Sequence, residues 1–227
     1  MLDENHSVNL HETNAATSYR SCYKEVIDDI ERLNWSALNR EELMAVCAAY
    51  YYFSVQFVEA VDIACGLYPT DPGLLELRQG ECDTDNLSPY PGVAGEGEKM
   101  NHDEFMRRAV AMSSLAAAER TRLESLGRAY LDEVRGLKPF VRAISLSSYE
   151  DGGLPRVFGA ILRALDWEEP SLGAFRHFLV LHVALDGDSH GALCRHLAAD
   201  DRILPLWRAF RKLLVEAAPK LAAKGQA

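Results

Sequence analysis

Residues 39–68, NREELMAVCAAYYYFSVQFVEAVDIACGLY, constrain the fold more than any other stretch. Apolar residues recur there at intervals of three and four rather than two, over a length no ordinary strand reaches. A helix that is apolar on nearly every side has to be covered on nearly every side by other elements. Asn39 followed by Glu42 three residues later forms a capping-box signature at its start.

The rest of the chain supplies covering elements of the same kind. SYRSCYKEVIDDIERLN, EKMNHDEFMRRAVAMSSL, LPRVFGAILRAL, SLGAFRHFLVLHVALDGDSHGALCRHLAA and RILPLWRAFRKLLVEAAPKLAAK all carry the helical period. DPGLLELRQGE adds a helix with Pro72 in its first turn, where a missing N–H costs little. AAAERTRLESLGRAYLDEVRGLKPFVRAISLSSYED is helical with Pro139 as a kink or break. No stretch shows strand alternation, a hairpin signal or a fixed-period repeat. One segment, CDTDNLSPYPGVAGEGE, is rich in Pro, Gly and Asp and reads as irregular. The expected architecture is all-α: a single bundle of about seven to eight helices over residues 18–225, behind a mobile, polar N-terminal arm at 1–17.

Composition narrows the function classes. The chain has 227 residues, ordinary hydrophobic content at 48%, and a formal net charge of −10. An acidic surface repels phosphate backbones, so neither nucleic acid nor an anionic membrane is an expected partner. No uninterrupted window of 18 apolar residues occurs, so no transmembrane helix is expected. The N-terminus is polar and acidic, unlike a signal peptide. Five widely spaced cysteines with no CxxC argue against a disulfide framework and against a zinc knuckle. Cys47 and Cys65 read as core thiols, and the expected location is cytoplasmic.

Potential metal ligands concentrate in LHVALDGDSHGALCRHL, residues 181–197. His182, Asp186 and His190 fall at i, i+4 and i+8, within about 80° of helix circumference. They can therefore share one inward face, although two half-exposed histidines and a capping Asp at Gly187 would give the same pattern. His177, Asp188 and His196 lie off that face. Glu98 and His102 are spaced i, i+4 on one helical face, a pairing also common on solvated helices. Glu150, in SSYEDGGLPRVF, precedes a Gly-Gly-Leu-Pro break at the start of the next helix. Glu59 is a lone acid in an apolar run, either a ligand or proton carrier or part of an exposed stripe. Glu98, His102, Glu150, His182, Asp186 and His190 together offer three carboxylates and three imidazoles. That set suits iron, manganese or zinc, and suffices for two iron ions with positions left open.

With these residues in place, the chain resembles the heme-oxygenase-like di-iron oxidases and oxygenases, a non-heme group on the heme oxygenase fold. The resemblance spans roughly residues 40–215. It rests on the His182–Asp186–His190 helix, on YEDGGLPRVF with its Glu150, and on an upstream acid-plus-histidine element ending at His102. Two departures stand out. Asp186 and His190 are four apart where the family often has three, which a bulge near Gly187 accommodates. Positions 99 and 95, where the family's first Glu usually sits, are Lys and Gly. Glu98 is taken as the first carboxylate by its spacing, with Glu81 or Asp85 as the alternatives. The resemblance implies two ferrous ions, O2 as co-substrate and a small amino-acid- or amine-like substrate. The outcomes it implies are N-oxygenation, oxidative C–C cleavage or desaturation, in natural-product biosynthesis. An external electron donor and a homodimer belong to the same expectation.

Two further readings share the fold. A metal-independent hydrolase resembling thiaminase II, or a cofactorless oxidase, would draw on Cys194, four residues after His190. Heme binding would need an N-terminal axial histidine, and His6 and His11 lie in a polar arm instead. Arg107, Arg108, Arg156 and Arg176 are candidates to pair with a substrate carboxylate.

Overall fold

Helical periodicity becomes helix in the described residues. The computed structural model describes residues 22–185 and 190–222. The helices are α1 (Cys22–Glu31), α2 (Arg40–Leu67), α3 (Pro72–Glu81), α4 (His102–Ala111), α5 (Ala117–Arg135), α6 (Pro139–Ser148), α7 (Leu154–Ile161), α8 (Pro170–Leu185), α9 (His190–Cys194) and α10 (Leu204–Ala217). Among the described residues there are no strands, only the isolated bridges Thr84–Met100 and Tyr90–Ala94. The architecture is all-α. Among the described residues its helices outnumber the seven or eight expected. Pro139 takes the first position of α6 after α5 ends at Gly136, and α8 and α9 stand on either side of residues 186–189, which lie outside the described residues. The expected arm at 1–17 lies outside the described residues.

α2 is the axis of the bundle. The capping box is formed: Glu42 N–H donates to Asn39 Oδ1 at 3.0 Å, and Asn39 N–H to Glu42 Oε2 at 3.1 Å. α3, α4, α5, α6, α8 and α10 all pack on α2. By length and composition α2 could cross a membrane, but 78% of its apolar window is buried by the other helices. Its aromatics knit the interior together. Tyr50 meets Phe158, Phe175 and Phe178 with ring centroids 5.4–5.7 Å apart, and Phe53 meets Phe210 at 4.2 Å. Each fully buried ring contributes about 1.5–3 kcal/mol of transfer free energy. That makes α2 a rigid wall against which other helices present side chains.

Two irregular pieces shape the site. Between α6 and α7 the backbone makes a single π turn, Tyr149–Gly153, closed by Leu154 N–H donating to Tyr149 O. Gly152 sits at φ +91°, which favours glycine. A Cβ on Gly153 would lie 2.1 Å from the Ser148 carbonyl oxygen. The turn swings Glu150 into the interior, where it is buried. The second piece is the Pro/Gly-rich stretch between α3 and α4, which is an ordered clip. Thr84 and Met100 exchange backbone hydrogen bonds at 3.2 and 3.0 Å, and His177 of α8 braces the clip through Nε2 and the Leu87 carbonyl at 3.0 Å.

Candidate metal centre

Among the described residues, four acid and histidine side chains converge on one cavity beside α2. Glu81 is the last residue of α3 and His102 the first of α4; Glu150 comes from the π turn and His182 from the last turn of α8. All four are buried. Together with Tyr50, Ser54, Phe57, Leu154, Phe158 and Phe178 they line about 20 Å³ of free space. That volume holds one ion or one water. Ligand atoms of Glu81, His102 and His182 all lie within 4.8 Å of one another.

The hydrogen bonds decide which atoms face inward. His182 Nδ1 lies 2.7 Å from the Phe178 carbonyl oxygen, which can only accept, so Nδ1 carries the proton. His182 Nε2 then presents a lone pair, 3.2 Å from His102 Nδ1. His102 Nε2 lies 3.0 Å from Asn86 Oδ1, another acceptor, so that nitrogen is also protonated and Nδ1 turns inward. His102 Nδ1 is 2.5 Å from Glu81 Oε2. Two imidazole lone pairs and a carboxylate oxygen thus point at one place. Without a cation between them such an arrangement is repulsive; a proton or a metal ion resolves it. Phe178 stacks on His182 at 4.0 Å and meets His102 edge-on at 5.6 Å, which fixes both rings and keeps the neighbourhood apolar.

The structure brings His102, Glu150 and His182 together with Glu81, one of the alternatives to Glu98. Glu98 is placed elsewhere. Its expected helical face does not exist, because α4 begins only at His102, after Gly97 at φ +66° and Met100 in its bridge to Thr84. Glu98 instead lies at the surface, 39% exposed, bonded to Arg108 at 2.7 Å and to Gly95 N–H at 2.8 Å. Glu81 was legible in principle. It continues the buried stripe of Leu74 and Leu77 at the spacing of one helix face.

The other candidates lie away from the cavity or outside the described residues. Asp85 is exposed. Glu59 binds Arg135 and Arg142 at 2.5 and 2.6 Å, away from the cavity. Asp186 lies outside the described residues, as does the side chain of His190, whose backbone opens α9. Arg107 and Arg108 are bound to Glu104, and Arg156 to Asp28 and Glu31. Cys194 is buried, and its thiol is pushed well up by desolvation and by the neighbouring Glu150 and Asp151. Asn86, which orients His102, was not among the residues that spacing singled out. Side-chain acceptors in irregular segments carry no periodic signal.

No protein-family model matches the chain, and no curated protein or solved structure matches it. The geometry of this cavity therefore bears the functional reading.

Proposed function

We propose that the cavity is a non-heme iron centre, and that the protein is an O2-dependent oxidase or oxygenase of a small amino-acid- or amine-like metabolite. The observation that carries this reading is the convergence of Glu81 Oε2, His102 Nδ1 and His182 Nε2, from three different helices, within 4.8 Å of one another. A set of two imidazoles and one carboxylate suits ferrous iron with positions left open. Glu150, on the same cavity, supplies a second carboxylate that offsets the metal charge.

The resemblance to the heme-oxygenase-like di-iron oxidases extends the proposal to that fold and to two ions. His102, His182, Glu81 and Glu150 would hold iron at this cavity, and the resemblance assigns Asp186 and His190 to the same ligand set. Bound ferrous iron supplies O2 activation and electron transfer to it, with further electrons from an external donor. This chain's own residues provide the surroundings. Phe178, Phe158, Phe57 and Leu154 give the cavity apolar walls that leave little room for water. Phe178 O and Asn86 Oδ1 hold the outer imidazole protons, keeping the inner nitrogens as donors. A cytoplasmic setting and a role in natural-product biosynthesis belong to the same proposal.

The metal-independent hydrolase is less well supported, because a buried thiol beside two carboxylates is poorly ionised and a poor nucleophile. The deciding experiment is iron content after anaerobic ferrous loading, with wild type beside His182→Ala. About two irons per chain, lost in the variant, is the expected result. One iron per chain overturns the di-iron assignment, and none in wild type overturns the centre altogether.

A further inference from the structure

The clip between α3 and α4 carries a side chain that touches both ends of the candidate centre. Asn86 Nδ2 donates to the Gly80 carbonyl at 2.9 Å, one residue before Glu81. Its backbone N–H donates to Thr84 Oγ1 at 3.3 Å. Its Oδ1 faces His102 Nε2 at 3.0 Å. The Gly80 bond fixes which way the amide points. Turned over, the group would set oxygen against the Gly80 oxygen and lose that bond. The atom facing His102 is therefore an acceptor, and the imidazole has one way to satisfy it, with the proton on Nε2.

We propose that Asn86 is a positioning residue that sets the tautomer and ring plane of His102, and so makes Nδ1 a metal donor. The inference rests on the metal reading above. The same amide ties His102 to the backbone beside Glu81, so the two ligands are registered against each other by one side chain. Asp83 N–H, donating to Asn101 Oδ1 at 3.0 Å, and the Thr84–Met100 bridge hold the clip closed around it. Residues that orient a ligating imidazole in this way typically account for about 10- to 100-fold in metal affinity.

Two measurements test the proposal on the full chain. The first is the imidazole N–H spectrum of the metal-free protein by NMR, with His102 assigned. A slowly exchanging Nε2–H on His102 in wild type, kept in Asn86→Asp and lost in Asn86→Leu, is expected. The second is affinity for Fe(II) and Zn(II) by anaerobic chelator competition. Asn86→Leu is expected to bind about 10- to 100-fold more weakly, and Asn86→Asp, which keeps an acceptor oxygen for His102 but loses the Gly80 bond, to recover part of the loss. Equal affinity in Asn86→Leu and wild type overturns the proposal. So does the absence of a protected Nε2–H in wild type, a readout that stands even if Asn86→Leu does not fold. A wild type that binds neither ion overturns the metal reading instead. The N–H spectrum then decides the tautomer role alone.

Discussion

Glu81→Gln and Glu98→Gln form a matched pair of variants that separates tertiary placement from sequence spacing. Both remove one negative charge and little volume. Glu81 is 3% exposed, with its carboxylate 2.5 Å from His102 Nδ1. Glu98 sits at the surface against Arg108, and exposed pairs of that kind contribute about 0–1 kcal/mol. The three inner donors lie within 4.8 Å of one another, so an ion among them is in contact range of the Glu81 oxygen. At an effective dielectric of about 20, two unit charges about 4 Å apart interact by about 4 kcal/mol. A dication attracts more strongly and also costs more to desolvate, so about 4 kcal/mol is a working value. At about 1.4 kcal/mol per decade, Glu81→Gln is expected to weaken ferrous or zinc binding by nearly a thousandfold. Glu98→Gln is expected to leave it unchanged. The assay is anaerobic competition against a chromophoric chelator, with thermal unfolding of each variant as the folding control. Wild-type affinity in a folded Glu81→Gln, or a large loss in Glu98→Gln alone, would refute the assignment.

Two further outcomes follow from groups outside the candidate centre. Burial works to raise the Glu59 carboxyl, but hydrogen bonds from Arg135 and Arg142 outweigh it and hold the group below the ordinary 4.5. A depressed folded value means that the stabilisation is complete above the ordinary carboxylate range and is lost as pH falls through it. Glu59→Ala also leaves Arg142 buried without its partner, so the cost at neutral pH should approach the lower end of the ~3–5 kcal/mol range for broken buried pairs. Denaturant unfolding should show this cost shrinking below about pH 4.5, and a pH-independent difference would contradict the ion-pair account. In the folded protein, iodoacetamide should label exposed Cys22 and spare Cys194, whose thiol burial keeps protonated. Labelling of Cys194 as fast as Cys22, read by peptide mass spectrometry, would revive the hydrolase reading.

Much of this molecule is legible in the linear chain because helices announce themselves locally. The apolar period of residues 39–68, the Asn39–Glu42 cap and the positions of Pro72 and Pro139 each rest on interactions within a few residues, and each reappears in the structure. Glu150 and His182 were legible as polar groups in apolar surroundings. Glu98 shows where such reasoning stops. Its i, i+4 relation to His102 presumes a helix through both residues, and backbone hydrogen bonding between Thr84 and Met100 keeps residues 98–101 out of one.

By itself, the sequence determined that the chain is helical, that α2 must be buried, and that His102, Glu150 and His182 are unusual side chains for their positions. Each of these follows from forces acting over one or two helical turns. Only the tertiary structure decided that Glu81, and not Glu98, stands beside His102, and that Asn86 orients the imidazole between them. Those choices depend on the ordered clip and on three helix ends meeting at one cavity. Such meetings are set by the packing of distant segments, which no local period encodes.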